Sequence, residues 1–182
     1  MKRIAELVLE AGFLKRLPRS GYQFLGAGRE SVAEHVYTTT FIAFVFSFLD
    51  TQVDARRLIS MCLVHDLPEA RTGDLNYVQK HYVQANESEA LADTLKDIPF
   101  GPTITELIDE FNAGNTLEAK LARDADQLAL IIDLKSLKDI GYRPPDNWLP
   151  HVEDRLQTTL AKQLAKDVLG AEWDGWWRKL FC

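Results

Sequence analysis

Apolar residues recur along this chain at helical spacing almost from its start. Ile4, Leu7, Val8, Ala11, Leu14 and Leu17 form one stripe and predict a first amphipathic helix. Pro18, Gly21, Gly26 and Gly28 then punctuate a loop. Ser31-Val-Ala-Glu34 has the form of a capping box, so a second helix is expected to begin there and run to about Leu49, with His35 in its first turn. Asp54 is the cap expected for a third helix through Leu58, Ile59, Cys62 and Leu63, which ends at His65-Asp66. Pro68 can open a short helix with Glu69 in its first turn, and Thr72-Gly73-Asp74 reads as a turn. Acid-rich helical stretches follow near 86–97 and 102–112, and Asn112-Ala-Gly-Asn115 breaks the chain again. The longest helix is expected from Thr116 to Ile140, with Leu117, Leu121, Ala125, Leu128 and Ile132 on one stripe. Gly141-Tyr-Arg-Pro-Pro145 ends it, and a helix from about Trp148 to Leu169 with a Trp-rich tail closes the sequence. No strand pair, repeat or linker interrupts this pattern. The expectation is an all-α fold, a single compact helical bundle over residues 1–182, with its C-terminal helices over about 148–182.

The second helix departs from simple amphipathicity. Phe41, Phe44, Phe46 and Phe48 are spread around it, and a helix apolar on all sides is expected to be buried, either centrally or in a dimer. Together with the tail tryptophans Trp173, Trp176 and Trp177 this predicts a homodimer. The longest apolar stretch, Phe41 to Leu49, is interrupted by Ser47 and falls short of the roughly 18 residues of a membrane span. The start, Met-Lys-Arg-Ile-Ala-Glu-Leu, alternates charged and apolar residues and lacks a secretory core, so a cytoplasmic protein away from membranes is expected.

Composition narrows the partners. With 182 residues the chain can bury one full-sized core. A net charge of -6 argues against binding polymeric nucleic acid, which needs a basic face. It leaves room for a small anionic substrate, because a bound cation and a few arginines can reverse the field inside one cleft. The two cysteines, Cys62 inside an apolar helix and Cys182 at the end, make no disulfide framework or zinc ribbon.

The candidate chemistry sits at His65-Asp66-Leu-Pro-Glu69. A His-Asp pair alone is commonly a polar helix end. Here it ends an apolar helix, so both side chains are expected close to the core, where buried polar groups and charges need partners. His35 and an aspartate from the long helix could share one divalent transition metal with them, since imidazoles and carboxylates together form a mixed donor set. Such a set leaves positions for water and substrate and points to metal-assisted hydrolysis. Two aspartates, Asp124 and Asp126, flank the apolar stripe of that helix, and helical geometry does not choose between them.

The order Glu34-His35, His65-Asp66, Asp126 on successive helices resembles the HD-domain phosphohydrolase superfamily. Within it, Arg19-Ser-Gly-Tyr22, Glu30-Ser-Val-Ala-Glu-His35, His65-Asp-Leu-Pro-Glu69 and Thr72-Gly-Asp74 resemble the single-domain 5'-deoxynucleotidases. The likeness spans roughly residues 1–140, with the metal-site core over about 31–140. It implies His35, His65, Asp66 and Asp126 as metal ligands, the pattern Ala-Asp-x-Leu selecting Asp126 and leaving Asp124 as a solvated helix charge. It also implies Glu69 and Asp74 as the acids that shape the catalytic pocket, and Arg19, with a planar fork for phosphate, as a substrate residue. Tyr22 would border the base or sugar. Glu69 could equally be a first-turn acid stabilised by the helix dipole, and Asp74 a turn residue. Lys15 and Arg16 are expected to be a solvated cluster, Arg71 a salt-bridge partner, and His81 and His151 surface or structural residues.

The expected activity is hydrolysis of a nucleoside 5'-monophosphate; the residues themselves do not fix the base, and the resemblance draws the expectation toward the deoxy series. One divalent metal is implied, with manganese, cobalt, iron, nickel and zinc all compatible with the donor set. Hydrolysis of a guanosine tetraphosphate-type alarmone is the nearest rival; enzymes of that kind usually carry Glu-Asp where this chain has Glu69-Ala70. Cyclic-nucleotide phosphodiesterases of the superfamily often add histidines for a second metal, and this chain has four in all. A non-catalytic nucleotide or metal sensor would keep the ligands without the acid, and a purely structural helical protein would bind no metal.

Overall fold

The computed structural model describes residues Met1 to Phe181; Cys182 lies outside them. The described residues form twelve α-helices and one 3₁₀ turn, with no strand beyond an isolated bridge between Pro18 and Ser31. In chain order the helices are α1 (Lys2–Phe13), α2 (Tyr22–Leu25), α3 (Val32–Leu49), α4 (Ala55–Val64), α5 (Glu69–Thr72), α6 (Tyr77–Tyr82), α7 (Glu87–Leu95), α8 (Gly101–Ala113), α9 (Leu117–Asp139), α10 (Pro145–Glu153), α11 (Thr159–Gly170) and α12 (Gly175–Arg178), with the 3₁₀ turn at Leu14–Arg16.

Three helices make the centre, and each starts where its cap dictates. The Ser31 hydroxyl accepts from the Glu34 N–H while the Glu34 carboxylate accepts from the Ser31 N–H, the reciprocal box that opens α3. Asp54 accepts from Arg57 N–H at the start of α4, and Thr116 accepts from Ala119 N–H at the start of α9. The middle of α9 is rich in small residues, and Ala119, Ala122, Ala125 and Ala129 let α3, α4, α10 and α11 approach it closely. Leu121, Leu128, Ile131 and Leu134 from α9 meet Phe46, Leu58 and Met61 in the main core. Full burial of each such side chain is worth about 1.5–3 kcal/mol, so this junction is the most expensive part of the fold to disturb.

α3 is long and apolar enough to cross a bilayer by length and composition alone. Seven of its residues, His35 among them, are packed inside the protein against α4 and α9, and a membrane span would have to tear that face out of the core. The helix is not buried all round, contrary to expectation. Phe46 is fully buried, whereas Phe41, Phe44 and Phe48 stand exposed.

Other differences have local causes. The loop expected from Pro18 to Gly28 holds the single turn α2, and α6 follows Asn76, whose side chain caps Gln79 N–H. Gly28 is required where it stands: its φ is +79°, and a Cβ there would come within 2.9 Å of the Tyr22 ring. The helix expected over 148–169 is two helices, α10 and α11. Thr158 caps the second by accepting from Ala161 N–H, and its own backbone N–H is drawn sideways to Asp124 on α9. A continuous helix would need that N–H for its own ladder.

Candidate metal centre

His35 comes from the first turn of α3, His65 and Asp66 from the end of α4, and Asp126 from the third turn of α9. The packing of these three helices brings the four side chains together. His35 Nε2 lies 2.8 Å from Asp126 Oδ1 and 3.9 Å from Asp66 Oδ2. His65 Nε2 lies 3.2 Å from Asp66 Oδ2. One donor atom each from His35, His65 and Asp126 falls within 4.8 Å of the others, close enough to share one ion. Asp124, two residues before Asp126, is on another side of α9. It is fully buried rather than solvated: Oδ1 accepts from Gln157 N–H at 2.7 Å, and Oδ2 from Thr158 N–H and Oγ1 at 2.8 and 2.7 Å.

The histidines are presented by specific supports. His65 Nδ1 lies 2.8 Å from the Cys62 carbonyl oxygen. A carbonyl can only accept, so Nδ1 carries the proton and Nε2 is turned toward the carboxylates with its lone pair available. The Phe111 ring packs against the His65 ring at 4.9 Å between centroids. His35 Nδ1 is 3.9 Å from Glu30 Oε2, and its Nε2 is 3.4 Å from the Thr39 hydroxyl one turn along α3.

Three atoms in this cluster are buried without any hydrogen-bond partner: His65 Nε2, Asp66 Oδ2 and Glu69 Oε2. Folded proteins rarely leave such atoms unpaired, because each costs about 1–3 kcal/mol. Two imidazoles and two carboxylates converging on orphaned lone pairs fit a divalent cation in both donor type and charge. Without one, protons take up the imbalance. Burial opposes a charged His65, but Asp66 and then Asp126 outweigh it and lift His65 to about 9. Burial followed by repulsion from Asp66 and Asp74 pushes Glu69 up to about 9. Burial works against the charge on Asp126 as well, yet the bond to His35 holds its carboxyl below the usual carboxylate range.

Arg19 enters from the loop before α2. Its guanidinium is 3.7 Å from Asp66 Oδ2 and 3.7 Å from Asp74 Oδ1. Asp74 Oδ2 also accepts from Ser20 N–H at 2.5 Å, so Asp74 grips the Arg19 segment from both backbone and side chain. Gly73, with φ +79°, makes the turn that aims Asp74 there. Arg19, Tyr22 and Glu30 line a cleft of about 390 Å³ together with Pro18, Gly26 and Gly28. The Tyr22 hydroxyl donates to Asp133 on α9 and lies 3.5 Å from Glu30 Oε2. Burial, then Asp133, pushes Glu30 up to about 8.

Glu30, Asp133 and Phe111 were not foreseen in these places. Asp133 follows Asp126 by seven residues, two helical turns, and so shares its face; that spacing was the available signal. Glu30 opens the Glu30-to-His35 motif but has no role implied there, and Phe111 carries no signal in the sequence. Arg71 pairs with Glu10 and Asp93, away from the cluster. His81, His151, Lys15 and Arg16 are exposed, and Cys62 is a buried core residue.

The family model described as HD domain matches residues 11–168. A 5'-deoxynucleotidase of Homo sapiens is 29% identical over 139 residues, 73% of this chain and 67% of its own length. A 5'-deoxynucleotidase of Schizosaccharomyces pombe is 30% identical over 131 residues, 66% of this chain and 65% of its own. Among solved structures, a conserved hypothetical protein from Pyrococcus furiosus has the same fold, with a TM-score of 0.75 and 31% identity over 92% of this chain and 99% of that one.

Proposed function

From the chain's membership of the HD-domain family, which the match over most of its length establishes, we propose that it is a metal-dependent phosphomonoesterase that hydrolyses nucleoside 5'-monophosphates, and deoxynucleotides above all. The observation that carries the reading is the convergence of His35, His65, Asp66 and Asp126 around atoms that the protein itself leaves unpaired. These four side chains would hold the ion, whose identity among manganese, cobalt, iron, nickel and zinc the mixed donor set leaves open. A bound divalent cation supplies Lewis acidity and lowers the pKa of water.

The protein's own groups divide the remaining work. Glu69, with Oε2 unpaired and its carboxyl beside Asp66, would be returned to its ionised form by a cation held there, and as a carboxylate it orients the attacking water and takes up its proton. Arg19 is fixed by Asp66 and Asp74 and offers the rest of its planar fork to the phosphate oxygens. Asp74 therefore acts through Arg19, as a positioning residue rather than beside Glu69 as a second acid. The cleft between Tyr22 and the Gly26–Gly28 turn receives the nucleoside, with Tyr22 against the sugar or base. Water adds to phosphorus in line, the bond from phosphorus to the 5'-oxygen breaks, and that oxygen leaves as the nucleoside hydroxyl with the proton that Glu69 took from the water. The active unit is a homodimer of single-domain chains in the cytoplasm, and neither polymeric nucleic acid nor a membrane is a partner.

The test is phosphate release from a panel of deoxy- and ribonucleoside 5'-monophosphates by purified protein loaded in turn with each metal. Deoxynucleotides should be cleaved, and His65→Ala and Asp66→Ala should abolish the activity. Activity retained in those folded variants would reject the assignment.

A further inference from the structure

Glu30 is the residue before the Ser31 cap of α3, and His35 is the fourth residue inside the helix. Side chains at these two positions meet across the first turn of a helix, where an apolar pair commonly closes as a staple. Here an acid and an imidazole hold the two places. The backbone pins the acid: the Glu30 carbonyl accepts from Arg19 N–H at 2.8 Å, and Val32 N–H donates to the Leu17 carbonyl at 2.9 Å. Glu30 Oε2 lies 3.9 Å from His35 Nδ1, and the two side chains are 10% and 1% exposed. At the other nitrogen of the same ring, Nε2 faces Asp126 and Asp66. The imidazole of His35 therefore stands between the cluster of ligands and Glu30.

We infer that Glu30 is the positioning residue of His35: its carboxylate accepts from His35 Nδ1–H and aims Nε2 at the metal ion. This rests on the metal centre proposed above. When Nε2 gives its lone pair to a cation, the ring keeps its hydrogen on Nδ1, and a buried N–H needs an acceptor. Histidine ligands commonly direct that N–H to a carbonyl or a carboxylate, which fixes the ring and makes it a better electron donor. His65 has such a support in the Cys62 carbonyl at 2.8 Å. The acceptor facing Nδ1 of His35 is Glu30. The gap between them exceeds a normal hydrogen bond by about 1 Å, which a turn of the acid's own side chain closes.

Tyr22 and Asp133 keep Glu30 available for this role. The Tyr22 phenol has one proton to give; it donates to Asp133 and meets Glu30 Oε2 only at 3.5 Å. Either form of the Glu30 carboxyl keeps an oxygen that accepts, and a cation one ring away favours the charged form, the stronger acceptor. Glu30 faces the nitrogen of His35 that points away from Asp126, so it supports the ligand without being one.

The experiment is the cobalt(II) affinity of the full chain, measured by competition with a chelating dye, with the visible absorption of the bound cobalt as a second readout. Glu30→Ala should bind cobalt about 10- to 100-fold more weakly than the wild type and shift the absorption band, because His35 loses both its aim and part of its basicity. Glu30→Gln keeps a neutral acceptor oxygen and should recover part of that loss. Without added metal, Glu30→Ala should melt no lower than the wild type, so weaker cobalt binding would not reflect a weakened fold. Wild-type affinity in folded Glu30→Ala overturns the inference. So does a loss as complete as that of His35→Ala, which would make Glu30 a ligand itself. If Glu30→Ala does not fold, the near-isosteric Glu30→Gln decides: severalfold weaker cobalt binding sustains the inference, and unchanged affinity overturns it. Cobalt binding is read without turnover. A wild type that binds cobalt but releases no phosphate rejects the hydrolase reading alone, whereas one that binds no cobalt removes the metal centre and this inference with it.

Discussion

Asp124 and Asp126 stand two residues apart on α9, the first fully buried and the second partly, and their surroundings give them opposite uses. The oxygens of Asp124 accept three hydrogen bonds from Gln157 and Thr158, so its charge is answered by the chain itself and clips α11 to α9. Asp126 instead faces His35 and stands in a cluster where His65 Nε2, Asp66 Oδ2 and Glu69 Oε2 have no partner. A buried carboxylate saturated by backbone donors is structural. One that shares its space with unpaired lone pairs is prepared for a cation from outside. The inventory of partners separates the two cases.

Substitutions at these sites test the contrast. The largest effect is expected for Asp126→Asn and His65→Ala, which should lose several kcal/mol of transition-state stabilisation, about a thousandfold or more in phosphate release, with native helical content. Metal analysis of the same samples should show the ion gone. Glu69→Gln should lower kcat by about 10²–10³ while retaining the metal, since it removes proton transfer and leaves the ligands in place. Loss of the ion in that variant would mean that Glu69 is itself a ligand. Asp124→Ala should behave in the reverse sense. It strands two backbone N–H groups and a hydroxyl, so it should cost about 3 kcal/mol and lower the melting temperature by several degrees, with activity per folded molecule preserved.

Metal titration sharpens the same contrast at smaller amplitude. At a hundred times Kd the ion should stabilise the wild type by about 2.7 kcal/mol, seen as a rise in melting temperature. Asp124→Asn should keep that increment, and Asp126→Asn should lose it. The smallest effect concerns Glu10, which accepts from Arg71 at 2.5 Å and from the Thr94 hydroxyl, ties α1 to α5 and α7, and has its carboxyl held below the ordinary value of 4.5 chiefly by Arg71. A lowered folded-state pKa means the contribution is complete above the unfolded value and is lost as the pH falls through the folded one. Glu10→Gln should therefore cost at most about 1 kcal/mol at neutral pH, given the partly exposed arginine, and should flatten the acid side of the stability profile. Denaturant midpoints between pH 3 and 7 would measure this.

Much of the site is legible in the sequence. The capping box at Ser31 placed His35 in a first turn, Asp54 and the apolar run placed His65-Asp66 at a helix end, and the long stripe placed both aspartates on α9. Each of these signals is local: a cap needs partners three residues away, and a stripe needs only its own period. The reading of Asp124 as a solvated charge was wrong because its partners, Gln157 and Thr158, lie more than thirty residues along the chain. The split of the last helix was missed for the same reason, since the Thr158 N–H that would have continued it is claimed by α9. Asp74 read as a turn residue or an acid of the pocket; only packing shows it gripping Ser20 and Arg19.

The sequence by itself determined the all-helical class, the caps that start the central helices and the residue types able to hold a metal, because all three follow from interactions within a few residues of one another. Tertiary structure decided which aspartate meets the histidines, which lone pairs are left unpaired, and which side of α3 stays outside. Those outcomes depend on where separate helices cross, and a helical period specifies a face without specifying what will be packed against it.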